Sequence, residues 1–189
     1  AYYRQECEVE PEPDTLIFNG SITYSVNFDA AAYFIEQILP LIQTKRPQVR
    51  LLITGKVTPA LIQALPQNSG VDFTGFLEDI RPTLFRAWAN VVPLTIGGGE
   101  RPQRLEDRGA GVAGNSTSIG AEGLEVEPGK NILLADQPEA FAQAVLDVLG
   151  DSELRNQLAQ NGRKAVETRY DWEQINKGFH GYLHQVMQA

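Results

Sequence analysis

Chemistry-bearing side chains are scarce in this 189-residue chain, which has one cysteine, one methionine and two histidines. The single Cys7 excludes an internal disulfide and any cysteine-rich metal site. His180 and His184 stand four apart and can share one helical face. No third ligand lies near them, so they read as packing or surface residues, and no metal site is expected. No apolar run approaches the roughly 20 residues of a membrane-spanning helix. The opening AYYRQECEVEPEPD is acidic and lacks the apolar core of a signal peptide. Cations are also short, with 16 Lys and Arg against 24 Asp and Glu and a formal charge of −8. That balance excludes a general affinity for nucleic acid or anionic membranes, although a local basic pocket fits inside an acidic surface. A cytoplasmic location is the corresponding expectation.

What is present suits one globular domain. Hydrophobic residues make up 42% and charged residues 21%. A chain of this length buries roughly 70% of its surface on folding. Residues 1–14 read as a linker or tail, and 15–189 as the domain. Thr15–Phe18 is a short buried strand that ends at the Asn19-Gly20 turn. Asn27 is placed to cap a helix whose apolar stripe runs through Phe28, Ala31, Ile35, Ile38 and Ile42, with Pro40 bending or ending its first part. Further strands are expected at 49–54, 71–74, 90–94 and 130–134. Helices are expected after Pro59, after Asp79 as cap, in the 100–110 segment, and over 138–149, 152–169 and 171–187. Continuous apolar strands alternating with helices predict a mostly parallel sheet covered on both faces, an α/β/α sandwich in three layers. Ligands of such sheets sit at the strand carboxyl ends. Four strands reach glycine there, at Gly20, Gly55, Gly75 and Gly97–Gly99. No G-x-G-x-x-G follows the first strand, which argues against a dinucleotide dehydrogenase.

The stretch 95–123, TIGGGERPQRLEDRGAGVAGNSTSIGAEG, stands apart from the rest. Gly97, Gly98 and Gly99 let the backbone come close to a ligand, and a helix starting behind them presents free N–H groups to an anion. Taken with TLIFNGSITYSVNFDA, LPLIQTKRPQVRLLITG, VDFTGFLEDIRP, VVPLTIGGGERPQRLE, STSIGAEGLEV and NILLAD, the chain resembles the C-terminal, donor-binding half of GT-B-type glycosyltransferases of group 1. The resemblance runs from Thr15 to the C-terminal helix. It implies a Rossmann-like domain that holds a nucleoside-diphosphate sugar such as a UDP-sugar, and retaining hexosyl transfer to an acceptor hydroxyl. It also implies that an N-terminal acceptor domain is missing, and that helix 171–187 crosses back onto it. No cofactor is implied beyond the nucleotide-sugar substrate.

By position, the resemblance assigns Gly20 to the diphosphate, Gly75 and Phe76 to the base pocket, and Gly97–Gly99 to the sugar and phosphate pocket. Glu106 is assigned to the ribose hydroxyls, for which a carboxylate is a natural acceptor. Arg101 faces the diphosphate as the catalytic residue, stabilising the leaving group's charge. Lys56, beside a strand-end glycine, reads as an exposed lysine that can assist. The same stretch departs most from the family. Gln103 stands where relatives carry a phosphate-binding lysine, and Arg104, one residue on, points about 100° away. Arg104, Asp107 and Arg108 replace apolar residues, and Val112–Asn115 makes a poor interior strand. Residues 100–115 are therefore expected to be the least ordered part of the domain. Drift in a chain that no longer binds a donor, remodelling for another ligand and a local reading-frame error all fit those departures. A degenerate nucleotide- or protein-binding module is the competing function.

Overall fold

The computed structural model describes residues 9–97 and 102–170, the side chains of 102–104 and 169 excepted. Gly98, Gly99, Arg101, the side chains of Gln103 and Arg104, Cys7, both histidines and the expected helix 171–187 lie outside the described residues. Six strands alternate with helices: β1 (Thr15–Asn19), α1 (Ser25–Tyr33), α2 (Leu39–Lys45), β2 (Arg50–Thr54), α3 (Pro59–Ala64), β3 (Val71–Gly75) and α4 (Arg81–Arg86) come first. They are followed by β4 (Ala89–Val92), α5 (Pro102–Gly109), β5 (Ala113–Ser116), β6 (Leu133–Leu134), α6 (Pro138–Gly150) and α7 (Ser152–Arg169). The strands lie in the order β3-β2-β1-β4-β5-β6. Every pairing is parallel, as the short apolar strands predict.

Pleating divides the core into two layers around the sheet. Leu16 and Phe18 of β1 face Phe34, Ile38, Ile42, Phe141 and Val145. Ile17, between them, faces the other way onto Leu84, Ala87, Ala110 and Val112. The expected three-layer α/β/α architecture is thus present, with α1, α2 and α6 supplying the larger layer.

Local chemistry moved several boundaries. Asn27 is not the N-cap: Asn27 and Phe28 already donate their N–H groups to Tyr24 O at 3.0 Å, so the helix starts at Ser25 with Tyr24 as cap. The Asn27 side chain instead donates to Ser21 O at 2.9 Å. Pro40 lies where the helix changes its winding. The turn before it, Phe34–Ile38, winds as a π-helix in which Leu39 N–H reaches back five residues to Phe34 O. Pro40 then falls in the first turn of α2, where its missing N–H leaves no gap. Asp79 accepts from Arg81 N at 3.0 Å at the start of α4, next to the cap residue Ile80. Asp151 caps α7 through Glu153 N and Leu154 N. Within the expected linker, Glu12 is tied to Arg86 by a backbone hydrogen bond of 2.8 Å and a 3.0 Å ion pair.

The largest correction concerns Val112–Asn115, expected to make a poor interior strand. Residues 102–109 form a helix, and Ala113–Ser116 is a fully buried strand between β4 and β6. Leu105 is half-buried. AGNS works in the sheet interior because its neighbours supply what it lacks. Ile132 packs over the face of Gly114, 3.4 Å from where a Cβ would stand. Asn115 Nδ2 donates to Asn90 O at 3.3 Å, and Ser116 Oγ to Thr117 O at 2.9 Å. β6 shrinks to Leu133–Leu134 because the residues before it turn, with Gly129 N bonded to Ile132 O at 2.8 Å.

Candidate nucleotide-binding cleft

Strand order reverses between β1 and β4, and the loops there part on opposite sides of the sheet. A cleft of about 600 Å³ opens over the carboxyl ends of β1, β2 and β3. Its lining comes from four segments. Asn19, Gly20, Ser21, Thr23 and Tyr24 follow β1, Thr54, Gly55 and Lys56 end β2, Phe76, Leu77, Glu78 and Ile80 follow β3, and Glu106 projects from α5.

Each wall is held by its own chemistry. The β1 and β2 loops touch through backbone: a Cβ at Gly55, whose φ is +95°, would lie 2.8 Å from Ser21 N and Cα. Ser21 Oγ donates to Lys56 O at 3.0 Å and lies 2.7 Å from Thr23 Oγ1. Two aromatic side chains stand at the cleft with most of their surface in solvent, Tyr24 at 69% and Phe76 at 68%. Such rings leave open faces for stacking against a flat ligand. Helix α5 starts with Pro102 and closes at Gly111, whose φ of +74° lets the chain leave the helix. Lys56 is the one cation among the described lining residues, facing the acidic Glu78 and Glu106.

Beneath the cleft lies a buried polar network. Asp107 is 3% exposed. Its Oδ1 accepts from Asn19 Nδ2 at 2.7 Å and its Oδ2 from Asn90 Nδ2. Asn19 Oδ1 in turn accepts from Thr54 Oγ1 at 3.0 Å. Burial pushes the Asp107 carboxyl well above the usual carboxylate range, the Asn19 and Asn90 amides oppose that, and the neighbouring Glu106 adds to it. Arg108 is also buried, its Nε and Nη2 without hydrogen-bond partners among the described residues, and burial lowers its basicity while Tyr170 opposes the shift.

The raised Asp107 value has a measurable consequence. A folded-state carboxyl that holds its proton more tightly than in the unfolded chain stabilises most below the ordinary carboxylate range. That contribution is lost as pH rises through the folded value. The charged groups beside Asp107 are Glu106 and Arg108 on its own helix, while the strands offer it the neutral Asn19 and Asn90. Asp107→Asn is expected to flatten this part of the stability profile, read as urea unfolding of both proteins from acid to neutral pH.

Of the residues singled out in the sequence, Gly20, Phe76, Glu106 and Lys56 converge on the cleft. Gly75 ends β3 just before Phe76, and Gly97 lies in the loop after β4, and neither lines the cleft. Sequence reasoning missed Asn19, Ser21, Thr23, Tyr24, Thr54, Glu78 and the Asp107 network. The polar run that directly follows Gly20 was the available signal for the β1 loop.

The fold has counterparts in known proteins. The sequence pattern of the family described as glycosyl transferases group 1 matches residues 13–151. An uncharacterised 44.6 kDa protein from the cps region of Klebsiella pneumoniae is 17% identical over 168 residues, 85% of this chain and 43% of that protein. A TarM variant from S. aureus, crystallised with fondaparinux, alpha-GlcNAc-glycerol and UDP, superimposes with a TM-score of 0.74 at 14% identity, over 95% of this chain and 37% of TarM. The C-terminal domain of LpcC, a glycosyl transferase group 1 family protein from Francisella tularensis, aligns with a TM-score of 0.63 at 22% identity, over 87% of this chain and 89% of that domain. At these identities the structural likeness is one of fold. The chain thus spans less than half the length of the Klebsiella protein and of TarM, and matches a separately crystallised C-terminal domain almost end to end. With the family pattern spanning β1 to α6 and the cleft at the strand switch, the chain belongs to glycosyl transferases group 1.

Proposed function

We propose that the chain is the donor-binding half of a glycosyltransferase that moves a hexose from a nucleoside-diphosphate sugar to an acceptor hydroxyl with retention of configuration. The observation that carries this reading is Glu106: it lines the cleft at the strand switch, the place where its family resemblance puts the ribose. Paired ribose hydroxyls are donors that a carboxylate accepts. Phe76 and Leu77 offer an apolar edge for the base, and Gly20 and Ser21 bring backbone close to the diphosphate. Lys56 and Arg101 are the cations proposed to balance its charge. In the transfer the bond from C1 of the sugar to the diphosphate oxygen breaks, the nucleoside diphosphate leaves with the electron pair, and a bond from C1 to the acceptor oxygen forms as the hydroxyl's proton passes to the departing diphosphate. Arg101, as the catalytic residue, stabilises the charge on the departing phosphate. The nucleotide-sugar is substrate, and the reading includes no further cofactor. The acceptor is proposed to sit on an N-terminal domain outside this chain, which alone transfers poorly.

One observation favours the second reading, a nucleotide- or protein-binding module without catalysis. The described lining sets one lysine against two glutamates, a weak field for a diphosphate. Calorimetric titration of UDP, GDP and UDP-glucose into the chain separates the two. The donor reading expects one of the diphosphates to bind with a dissociation constant of about 1 mM or tighter, equivalent to roughly 4 kcal/mol. Heat with none of the three supports the module.

A further inference from the structure

Among the described residues, one buried carboxyl group, that of Asp107, hydrogen-bonds helix α5 to two strands of the sheet. Asp107 takes one hydrogen bond from Asn19 at the end of β1 and another from Asn90 within β4, the two strands that flank the switch. Through Asn19 the network extends to Thr54 of β2, and both Asn19 and Thr54 lie in the cleft floor. Glu106 is the residue before Asp107, and successive helix positions are about 100° apart. Fixing the direction of Asp107 therefore fixes the direction of Glu106. An apolar residue at position 107 would bury equally well while leaving the helix free to slide and rotate. Two hydrogen bonds from different strands remove both freedoms. Buried networks of this kind specify an arrangement more than they add stability.

Resting on the donor-site reading, we propose that Asp107 is a positioning residue: clamped between Asn19 and Asn90, it aims Glu106 at the ribose of the bound nucleotide. It touches no ligand itself.

The test is a double-mutant cycle read by UDP titration, with thermal unfolding alongside. Asp107→Ala is expected to weaken UDP binding about tenfold when Glu106 is present, and less than about twofold in the Glu106→Ala background. The thermal midpoint falls equally in both backgrounds. Asn90→Ala, which removes one of the two donors to that carboxyl, is expected to weaken UDP binding about three- to tenfold with Glu106 present and less than about twofold in the Glu106→Ala background. Equal losses in both backgrounds, or an Asn90→Ala variant that binds UDP as the parent does, overturn the proposal. A parent chain that binds no UDP contradicts the donor reading, and the placement of α5 is then decided by hydrogen exchange. Protection of the Leu105–Gly109 amides that drops in both Asp107→Ala and Asn90→Ala upholds the clamp. Loss spread over the whole sheet refutes it.

Discussion

Glu106→Ala is expected to weaken UDP binding by about ten- to a hundredfold while leaving the domain folded. Hydrogen bonds to a charged group contribute about 1.5–3 kcal/mol, which spans that range of affinity. The fold should tolerate the change for a specific reason. Glu106 holds α5 together through its carbonyl, which accepts from Ala110 N at 2.9 Å, and its carboxylate makes no hydrogen bond among the described residues. Substitution therefore removes a ligand contact without leaving a buried partner unsatisfied. Binding of the 2′-deoxy analogue is the sharper comparison. If the carboxylate grips the ribose hydroxyls, the parent loses most of its advantage over Glu106→Ala when one hydroxyl is missing. Calorimetry with both nucleotides on both proteins provides the check, and a difference between the proteins that is the same for UDP and its deoxy analogue would place Glu106 elsewhere.

Gly55→Ala is expected to cost both stability and binding. The residue has φ of +95°, which other side chains rarely adopt, and its Cβ would press within 2.8 Å of Ser21 N and Cα and 3.1 Å of Gly20 C. Those are backbone atoms, so no side chain can swing aside. Strain and overpacking together cost about 2–5 kcal/mol, or a fall in thermal midpoint of roughly 5–15 °C in a domain of this size. Any relief must push the Gly20–Ser21 turn into the cleft, so UDP affinity should fall as well. Gly129→Ala is the control, since its φ of +76° carries strain but nothing lies within 4 Å of the added carbon. A smaller loss of stability and unchanged UDP binding are expected there. Differential scanning calorimetry and nucleotide titration of both variants distinguish the close approach from mere backbone strain.

The fold was legible wherever short-range pattern decided it. TLIF, RLLIT and NVVPL read as buried strands, each delivering its loop to one edge, and the glycines at 20, 55 and 75 marked that edge. Glu106 was singled out because it stands where relatives carry a glutamate, although its neighbours depart from them, and it does line the cleft. The central strand Ala113–Ser116 was not legible. Strand preference reports how well side chains fit a pleated, half-buried surface. Here the fit comes from Ile132 over Gly114 and from the carbonyl of Asn90 taking the Asn115 amide. Asp107 was misread for a related reason. On its own it marks a helix that has lost an apolar contact, yet its partners Asn19 and Asn90 lie 88 and 17 residues away in sequence. Asp107, one of the residues that set this stretch apart from its relatives, therefore belongs to a polar set with Asn19 and Asn90. Arg108 shows the limit of that compensation, because its buried Nε and Nη2 have no hydrogen-bond partners among the described residues.

The central claim is that a nucleoside diphosphate occupies the cleft at the strand switch, and nuclear magnetic resonance of the isotope-labelled chain tests it most directly. Titration with UDP should move the backbone amide signals of Gly20, Ser21, Gly55, Lys56, Phe76 and Glu106 together, along one saturating curve, while amides on α3 and α6 stay in place. Unmoved signals at millimolar UDP, or shifts gathered on a face away from the carboxyl ends of β1, β2 and β3, would contradict it.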